Sequence, residues 1–368
     1  MIRLERLTKI FGTHTAVDSI DMEIGAGEVC VLLGPSGCGK TTTLKMINRL
    51  IPPTSGKIYI DGKDTSSVDE VQLRRSIGYV IQQIGLFPNK TIEDNICVVP
   101  DLLGWDRRKS RKRAAELLEL VNLDPATFLK RYPKHLSGGQ QQRVGVVRAL
   151  AADPPVLLMD EPFGALDPIN RDVIQDEFMK LQASLKKTVV FVSHDIDEAV
   201  KMATRIAILR DGRLIQYDVP DRILAHPADE FVANFVGSDR ALKRLRLLKV
   251  GAVMIKDCPV AKAEDTLDRT ATLMKERGLA GIAIVDDQRR PNGMIKLETT
   301  RDHQGRVADH REALPATVHI NDDLRTAVSV MFAHAMTWLA CVNDQGAVEG
   351  CITQSAITDA LGAATRSA

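Results

Sequence analysis

The sequence predicts an α/β fold with a mainly parallel sheet over residues 1–236, followed by a smaller duplicated α+β region. Three observations carry this expectation. Short apolar runs, Val29–Leu33, Val156–Met159 and Thr188–Val192, are bounded by polar residues or glycine and read as buried strands. Each is followed by a helical pattern; after the first, Leu44, Ile47 and Ile51 recur at helical spacing, the alternation of an α/β domain. Beyond residue 250 a constant shift of 57 residues aligns Leu267 with Leu324, Met274 with Met331, Val285 with Val342, Asp287 with Asp344, Gly293 with Gly350 and Ile295 with Ile352. Six matches at one offset without a gap describe a duplicated unit that packs against itself, each copy a helix, a strand ending in an acidic turn, and a second strand after glycine.

A chain of 368 residues is too long for one ordinary core, so two or three domains are expected. The boundaries read as 1–236 for the α/β domain, 237–250 for a linker, and 251–307 and 308–365 for the two copies. The linker opens with Gly237-Ser238-Asp239 and continues as a basic amphipathic stretch with Arg240, Lys243, Arg244, Arg246 and Lys249. A second basic run, Arg107 to Arg113, opens a helix and reads as a solvated face, with contact to acidic lipid or a partner as the alternative.

Hydrophobic residues make up 44% of the chain and aromatics only 4%, so the cores are expected to be aliphatic. Lys plus Arg number 49 against 48 Asp plus Glu, a net charge of +1 that argues against a dedicated nucleic-acid binder. The cysteines at 30, 38, 97, 258, 341 and 351 form no CxxC pair, and the expectation is reduced thiols with neither a disulfide framework nor a zinc site. The N-terminus shows no apolar signal core, and nowhere do about 18 apolar residues run together, so no transmembrane helix is expected. A membrane role would then need a second chain to hold this one in place.

Gly34-Pro35-Ser36-Gly37-Cys38-Gly39-Lys40-Thr41 lies between the first strand and its helix and fits the phosphate-loop pattern in full. Glycines let the backbone wrap an anion closely, and a helix N-terminus adds favourable partial charge. Lys40 can reach the β- and γ-phosphates, the Thr41 hydroxyl can ligate Mg2+, and Thr42 lies toward the α-phosphate. Val156–Met159 ends in Asp160 and Glu161: the first is suited to hold Mg2+, the second to polarise an attacking water as general base.

Leu136-Ser137-Gly138-Gly139-Gln140-Gln141-Gln142-Arg143 is the most specific element. With it the chain resembles the ATPases of ABC transporters over residues 1 to about 236. The resemblance implies a P-loop ATPase that binds ATP and Mg2+ and works as a head-to-tail dimer with a second copy or a homologous subunit. Ser137, Gly138, Gly139 and Gln140 would then face the γ-phosphate held by the partner, as a helix start suits an anion. Phe11 matches the aromatic that stacks on adenine. Gln82, with Gln83 adjacent, matches the glutamine that senses Mg2+ and couples to the permease. Gly164-Ala165-Leu166-Asp167 matches the loop across the dimer interface, and His194 matches the switch histidine. Intact Lys40, Asp160, Glu161 and His194 oppose a vestigial ATPase. Repair and ribosome-acting relatives carry an inserted coiled coil or a second ATPase domain, which are not found in this sequence.

The duplicated region resembles a tandem pair of cystathionine-β-synthase-type (CBS) regulatory modules. Such modules often bind adenosyl ligands through a Gly-h-h-Thr-x-x-Asp run, where h is apolar. Here Thr299 and Ala356 stand at the two Asp positions, which puts simple adenosyl binding in doubt. The segment Gln82–Thr91 looks like importer ATPases. The tandem modules and Asn48–Gly56 look like the osmoprotectant branch, which imports glycine betaine, choline, carnitine or proline; a methionine or polar amino-acid importer is the alternative. The resemblance implies integral-membrane permease subunits, an extracytoplasmic substrate-binding protein, no nucleic acid, and a peripheral position on the cytoplasmic face of the bacterial inner (plasma) membrane.

Overall fold

A computed structural model describes residues 1–82, 85–164, 166–300 and 304–363. Gln83, Ala165 and residues 364–365 of the expected second copy lie outside the described residues. The chain divides into two units, Met1–Ile223 with Pro227–Val236, and Leu224–His226 with Gly237–Ala368.

The first unit holds two sheets. Strands β1 (Ile2–Phe11), β2 (His14–Ile24), β4 (Ser55–Ile60) and β5 (Lys63–Asp64) form a four-stranded sheet in the order β2-β1-β4-β5, every pairing antiparallel. Strands β3 (Val29–Leu33), β6 (Ile77–Val80), β7 (Val156–Asp160), β8 (Thr188–Val192), β9 (Arg205–Arg210) and β10 (Arg213–Asp218) form the second, in the order β10-β9-β3-β8-β7-β6. Every pairing from β9 across to β6 is parallel, and only the edge strand β10 is antiparallel. Every residue of β3, β7 and β8 is buried, which explains why these strands read as continuous apolar runs rather than alternating ones.

Helices fill the crossovers that parallel pairing requires. They are α1 (Lys40–Ile47), α2 (Glu70–Ser76), α3 (Ile92–Leu102), α4 (Arg107–Leu120), α5 (Pro125–Phe128), α6 (Gly138–Leu150), α7 (Pro168–Leu185) and α8 (Ile196–Met202). The α4 start is capped by Asp106, whose carboxylate accepts from the Arg108 and Lys109 N–H groups. Arg107, Arg108, Lys109, Arg111 and Lys112 of the basic run are exposed, in keeping with a solvated face.

Register fixes where the loops emerge. Leu32 lies beside Val192, Val80 beside Met159, and Asp160 beside Val192. The C-terminal ends of β3, β6, β7 and β8 therefore finish side by side, and the residues that follow them, 34–41, 82, 161 and 193–194, collect along one edge of the sheet. That edge is where ligands bind in open parallel sheets.

In the second unit the 57-residue shift is a structural one. Leu267 and Leu324 open the helices Leu267–Glu276 and Leu324–Ala333, and Val285 and Val342 end β11 (Gly281–Val285) and β14 (Trp338–Val342). Gly293 lies in β12 (Pro291–Lys296) and Gly350 in β15 (Val348–Thr353), and both pairs are antiparallel hairpins. A short strand, β13 (Thr317–His319), adds in parallel to β14. Leu267, Met274, Ile282, Ile284, Ile295 and their counterparts Leu324, Met331, Leu339, Cys341 and Ile352 share one buried cluster, so the two copies bury each other.

Two expectations are corrected here. Residues 240–250 are not a free linker. Leu245 and Val250 belong to the core of the second unit, and the Val250 and Gly251 N–H groups donate to the carbonyls of Asp322 and Ile320. Arg244 is buried and donates to the Leu361 carbonyl at 3.0 Å. The stretch reads as a tether because Arg240, Lys243, Arg244, Arg246 and Lys249 are interleaved with its apolar residues. Nor are all six cysteines reduced thiols: Cys258 and Cys351 form a disulfide, with their Cα atoms 5.7 Å apart. Ile255 pairs with Cys351 through two backbone hydrogen bonds, which brings Cys258 to β15 across 93 residues of sequence. No spacing rule could show a pairing that depends on tertiary register.

Candidate functional site

The loop after β3 is shaped by close approaches that only glycine allows. A Cβ on Gly34 would stand 2.2 Å from the Leu209 carbonyl oxygen, and one on Gly39 would stand 2.4 Å from that of Ala16. Both residues also have positive φ, 148° and 99°. Pro35, Ser36 and Gly37 are exposed at the tip, while Cys38 turns inward and its thiol is pushed up by burial. Lys40 opens α1, and its ammonium donates to the carbonyls of Gly34 and Pro35 at 2.7 and 2.8 Å, which holds the charge inside the loop. Gly39 precedes α1 and supplies no side-chain cap, so the Thr41 and Thr42 N–H groups of the first turn remain for a ligand to meet. A cation, a ring of backbone N–H groups and a helix start around one loop can hold a phosphate chain.

Beside the loop, the Thr41 hydroxyl donates to Asp160 Oδ1 at 2.9 Å. Asp160 ends β7 and is buried; desolvation pushes its carboxyl above the usual carboxylate range, against the opposing pull of the Thr41 hydrogen bond and of Lys45 and Lys40. A hydroxyl and a carboxylate in contact are hard oxygen donors that fit Mg2+, which binds through one or two carboxylates with substrate phosphates and water completing its shell.

Glu161 follows at φ 45°, a left-handed backbone uncommon for a residue with a side chain. Its N–H donates to the Val192 carbonyl at 3.2 Å, so the turn is anchored to β8. Its carboxylate accepts from Gln82 Nε2 at 2.9 Å and lies 3.8 Å from His194 Nδ1. Three residues 112 positions apart in the chain at their extremes thus meet at one carboxylate, because β6, β7 and β8 end together. The His194 side chain is 63% exposed, open to a ligand that would arrive from outside.

Ser137 caps α6 with a capping box: its Oγ accepts from the Gln140 N–H at 3.4 Å, and Gln140 Oε1 accepts from the Ser137 N–H at 3.0 Å. Gly138 and Gly139 form the first turn, Gly138 exposed like Ser137 and Gly139 half-buried. The buried Gln142 of the same helix donates to the Pro162 carbonyl, which ties α6 to the residue after Glu161. Phe11 ends β1 opposite His14, 47% exposed, with the Lys9 ammonium 5.0 Å from its ring centre. It is not a core residue, and its ring is accessible to a flat apolar group. In the loop 164–167 the Asp167 carbonyl accepts from the Arg171 N–H, and the Leu166 carbonyl accepts from the Arg171 guanidinium.

Sequence reasoning misses the residues that brace these loops. Asn95, fully buried on α3, donates to the carbonyls of Phe87, Lys90 and Thr91 and accepts the Phe87 N–H, which shapes the segment Phe87–Thr91. Arg171, Gln175 and Glu198 gather behind His194. The Asp195-x-x-Glu198 spacing reads as a capping box, but only the Asp195 side chain caps α8, and Glu198 turns inward.

A family profile for ABC transporters matches residues 17–164, and a profile for the CBS domain matches residues 250–299. The osmoprotectant import ATP-binding protein OsmV of Salmonella typhimurium is 52% identical over 367 residues, covering 98% of this chain and 96% of that protein. The chain belongs to the ABC transporter ATP-binding proteins. The glycine betaine/carnitine/choline transport ATP-binding protein OpuCA of Bacillus subtilis is 47% identical over 364 residues, covering 98% of this chain and 96% of its own length. Among solved structures, the dimeric bacterial ABC transporter cassette MJ0796 has a TM-score of 0.54 at 38% identity, covering 60% of this chain and 99% of that one. The same cassette in a post-hydrolysis state bound to ADP and Pi gives a TM-score of 0.53. As a member of this family the chain is an ATP-binding, ATP-hydrolysing subunit with the P-loop ATPase fold, carrying a CBS domain behind it. No helix among its described residues is long and apolar enough to cross a membrane.

Proposed function

We propose that this ATP-binding subunit energises import of a quaternary amine osmoprotectant, glycine betaine, choline or carnitine, through a separate permease. The observation that carries the reading is identity of 52% and 47% across both units, not the ATPase alone, to subunits named for osmoprotectant and for glycine betaine, carnitine and choline transport. It displaces the methionine or polar amino-acid alternative. The permease, a substrate-binding protein outside the membrane, and a peripheral position on the cytoplasmic face of the inner membrane belong to the same reading.

In the ATPase, Phe11 stacks on the adenine. The backbone of Gly34, Pro35, Ser36, Gly37, Cys38 and Gly39, with Lys40, Thr41 and Thr42, cradles the phosphates. Thr41, Asp160 and Gln82 are the residues that would hold Mg2+, which when bound neutralises charge on the β- and γ-phosphates. Glu161 takes the proton of the attacking water, and Gln82 and His194, its two neighbours, orient that carboxylate and the γ-phosphate. Two copies combine head to tail, so that Ser137, Gly138, Gly139 and Gln140 of one, with the loop ending in Asp167, complete the site of the other. Charge developing on the transferred phosphoryl group is then met from both sides. Burial of Asp160 supports its metal role, since a carboxylate already costly to keep charged gains most from a cation.

The second unit regulates. Its two copies share one fold and one core, which supports reading residues 308–363 as a second CBS module beside the one matched at 250–299. Deletion of the gene for this chain, in a host without redundant systems, should lower uptake of labelled glycine betaine and choline at high osmolarity. Unchanged uptake of both overturns the substrate reading.

A further inference from the structure

Glu198 is a carboxylate only 7% exposed, on α8, four residues beyond His194. Both of its oxygens are committed. Oε1 accepts from Gln175 Nε2 at 3.0 Å, and Oε2 accepts from the Ser193 hydroxyl. Ser193 Oγ in turn accepts the Asp195 N–H at 3.0 Å. These bonds fasten the residues on either side of His194. The other end of the chain of contacts is α7, which begins directly after Asp167 and carries Gln175 and, one turn earlier, Arg171. Arg171 bridges the Leu166 carbonyl at 3.0 Å and the Asp195 carboxylate at 3.7 Å.

An apolar side chain would fill this space at lower cost than a buried carboxylate, whose desolvation must be offset by its hydrogen bonds. Burial does push the Glu198 carboxyl up, and the Ser193 and Gln175 hydrogen bonds pull it back. A group kept at such a cost, with both acceptor oxygens spent on one short segment and one helix, fixes geometry. We propose that Glu198 is a positioning residue for the ATPase: through Ser193 and Gln175 it clamps the segment 193–195 to α7 and so holds the His194 imidazole against Glu161. The inference rests on the reading of His194 as part of the hydrolytic site.

The test is steady-state ATP hydrolysis by the purified full chain, with Glu198→Ala, Glu198→Gln, Ser193→Ala, His194→Ala and the Glu198→Ala/His194→Ala pair. Misplacing a reacting group by about 1 Å can cost on the order of a hundredfold, so Glu198→Ala should lower kcat by about tenfold or more while KM for ATP stays within about twofold. Glu198→Gln should recover most of the rate: its amide oxygen still accepts the Ser193 hydroxyl, and Gln175 can reverse its own amide to accept from the new NH2. The double variant should be no slower than His194→Ala, because the clamp acts only through the imidazole. If Glu198→Ala does not fold, Ser193→Ala, which removes the hydroxyl's two hydrogen bonds and almost no volume, should show the same kcat loss at constant KM. His194→Ala at the wild-type rate overturns the reading of the histidine and the clamp with it. A slow His194→Ala beside Glu198→Ala and Ser193→Ala at full rate, or losses that add in the double variant, overturns the clamp alone.

Discussion

On the proposed role of Glu161 as general base, Glu161→Gln should separate ATP binding from hydrolysis. The substitution preserves shape. The new amide can keep its oxygen toward Gln82 Nε2, where the carboxylate now accepts at 2.9 Å, and its NH2 then lies on the side of His194 Nδ1, 3.8 Å away. The backbone has no new reason to move, since Gln carries the same Cβ at the φ of 45° that Glu161 already tolerates. The phosphate loop is untouched, because Lys40 and Thr41 are held by Gly34, Pro35 and Asp160 and not by Glu161. What disappears is proton acceptance. General-base catalysis contributes on the order of 10²- to 10⁴-fold, so kcat should fall by that factor, about 2.7–5.5 kcal/mol of barrier, with ATP affinity within about twofold. Phosphate release and nucleotide titration on the purified chain measure both. Size-exclusion chromatography with Mg-ATP should also show the variant as a dimer, since turnover is what reopens the closed pair. Hydrolysis at the wild-type rate, or a variant that stays monomeric, refutes the assignment.

Three further outcomes follow from the same geometry. Ser137→Arg should abolish hydrolysis while leaving ATP affinity of the isolated monomer unchanged, because Ser137 is proposed to serve the partner's nucleotide; its loss as a helix cap should cost stability of only about 1 kcal/mol, and a large fall in monomer affinity would contradict the cross-subunit arrangement. Asp160→Asn should destroy Mg2+-dependent turnover yet raise the melting temperature of the nucleotide-free chain at neutral pH. Burial raises the Asp160 carboxyl from 3.8, so the fold bears no penalty below that value and loses stability as pH rises through the higher folded one; the advantage of the Asn variant should vanish in melts at the acid end of that window. Reducing the Cys258–Cys351 disulfide should destabilise the second unit, by roughly 4–5 kcal/mol if loop entropy over the 93-residue separation dominates, and equal urea midpoints with and without dithiothreitol would show that the bond restrains nothing.

How much of the molecule is legible in the sequence depends on whether the relevant residues are contiguous. Strands β3, β7 and β8 are buried on both faces, so each is an unbroken apolar run that needs no partner to be recognised. The antiparallel sheet of β1, β2, β4 and β5 leaves a weaker trace, because its strands are only partly buried and β1 slips register several times against β2. Gly34–Thr41 and Ser137–Gln140 are visible because a phosphate or a helix start must be met by neighbouring backbone groups. Residues that brace those loops, such as Asn95, Arg171, Gln175 and Glu198, reach them from other helices and leave no local pattern. The same limit hides the disulfide, and it makes residues 240–250 look like a tether although Leu245 and Val250 are core.

Strand register accounts for the site more fully than any one motif does. A one-residue slip between β7 and β8 would turn Asp160 away from α1 and Glu161 away from His194, since neighbours along a strand face opposite sides. The observed pairing of Asp160 with Val192 keeps Asp160 in line with Thr41, and the Glu161 N–H to the Val192 carbonyl converts the end of β7 into the left-handed turn that aims the next carboxylate at Gln82. Such a backbone costs of order 1–3 kcal/mol, and it is tolerated because β7 is buried and paired on both sides by β6 and β8. Asp160 and Glu161, the proposed metal holder and base, are thus adjacent in sequence yet placed by different means, since the strand fixes the first and the strained turn the second. On the proposed roles of Asp160 and Glu161 the sheet is part of the catalytic apparatus, and changes that loosen β7 in its core should slow hydrolysis before they unfold the chain.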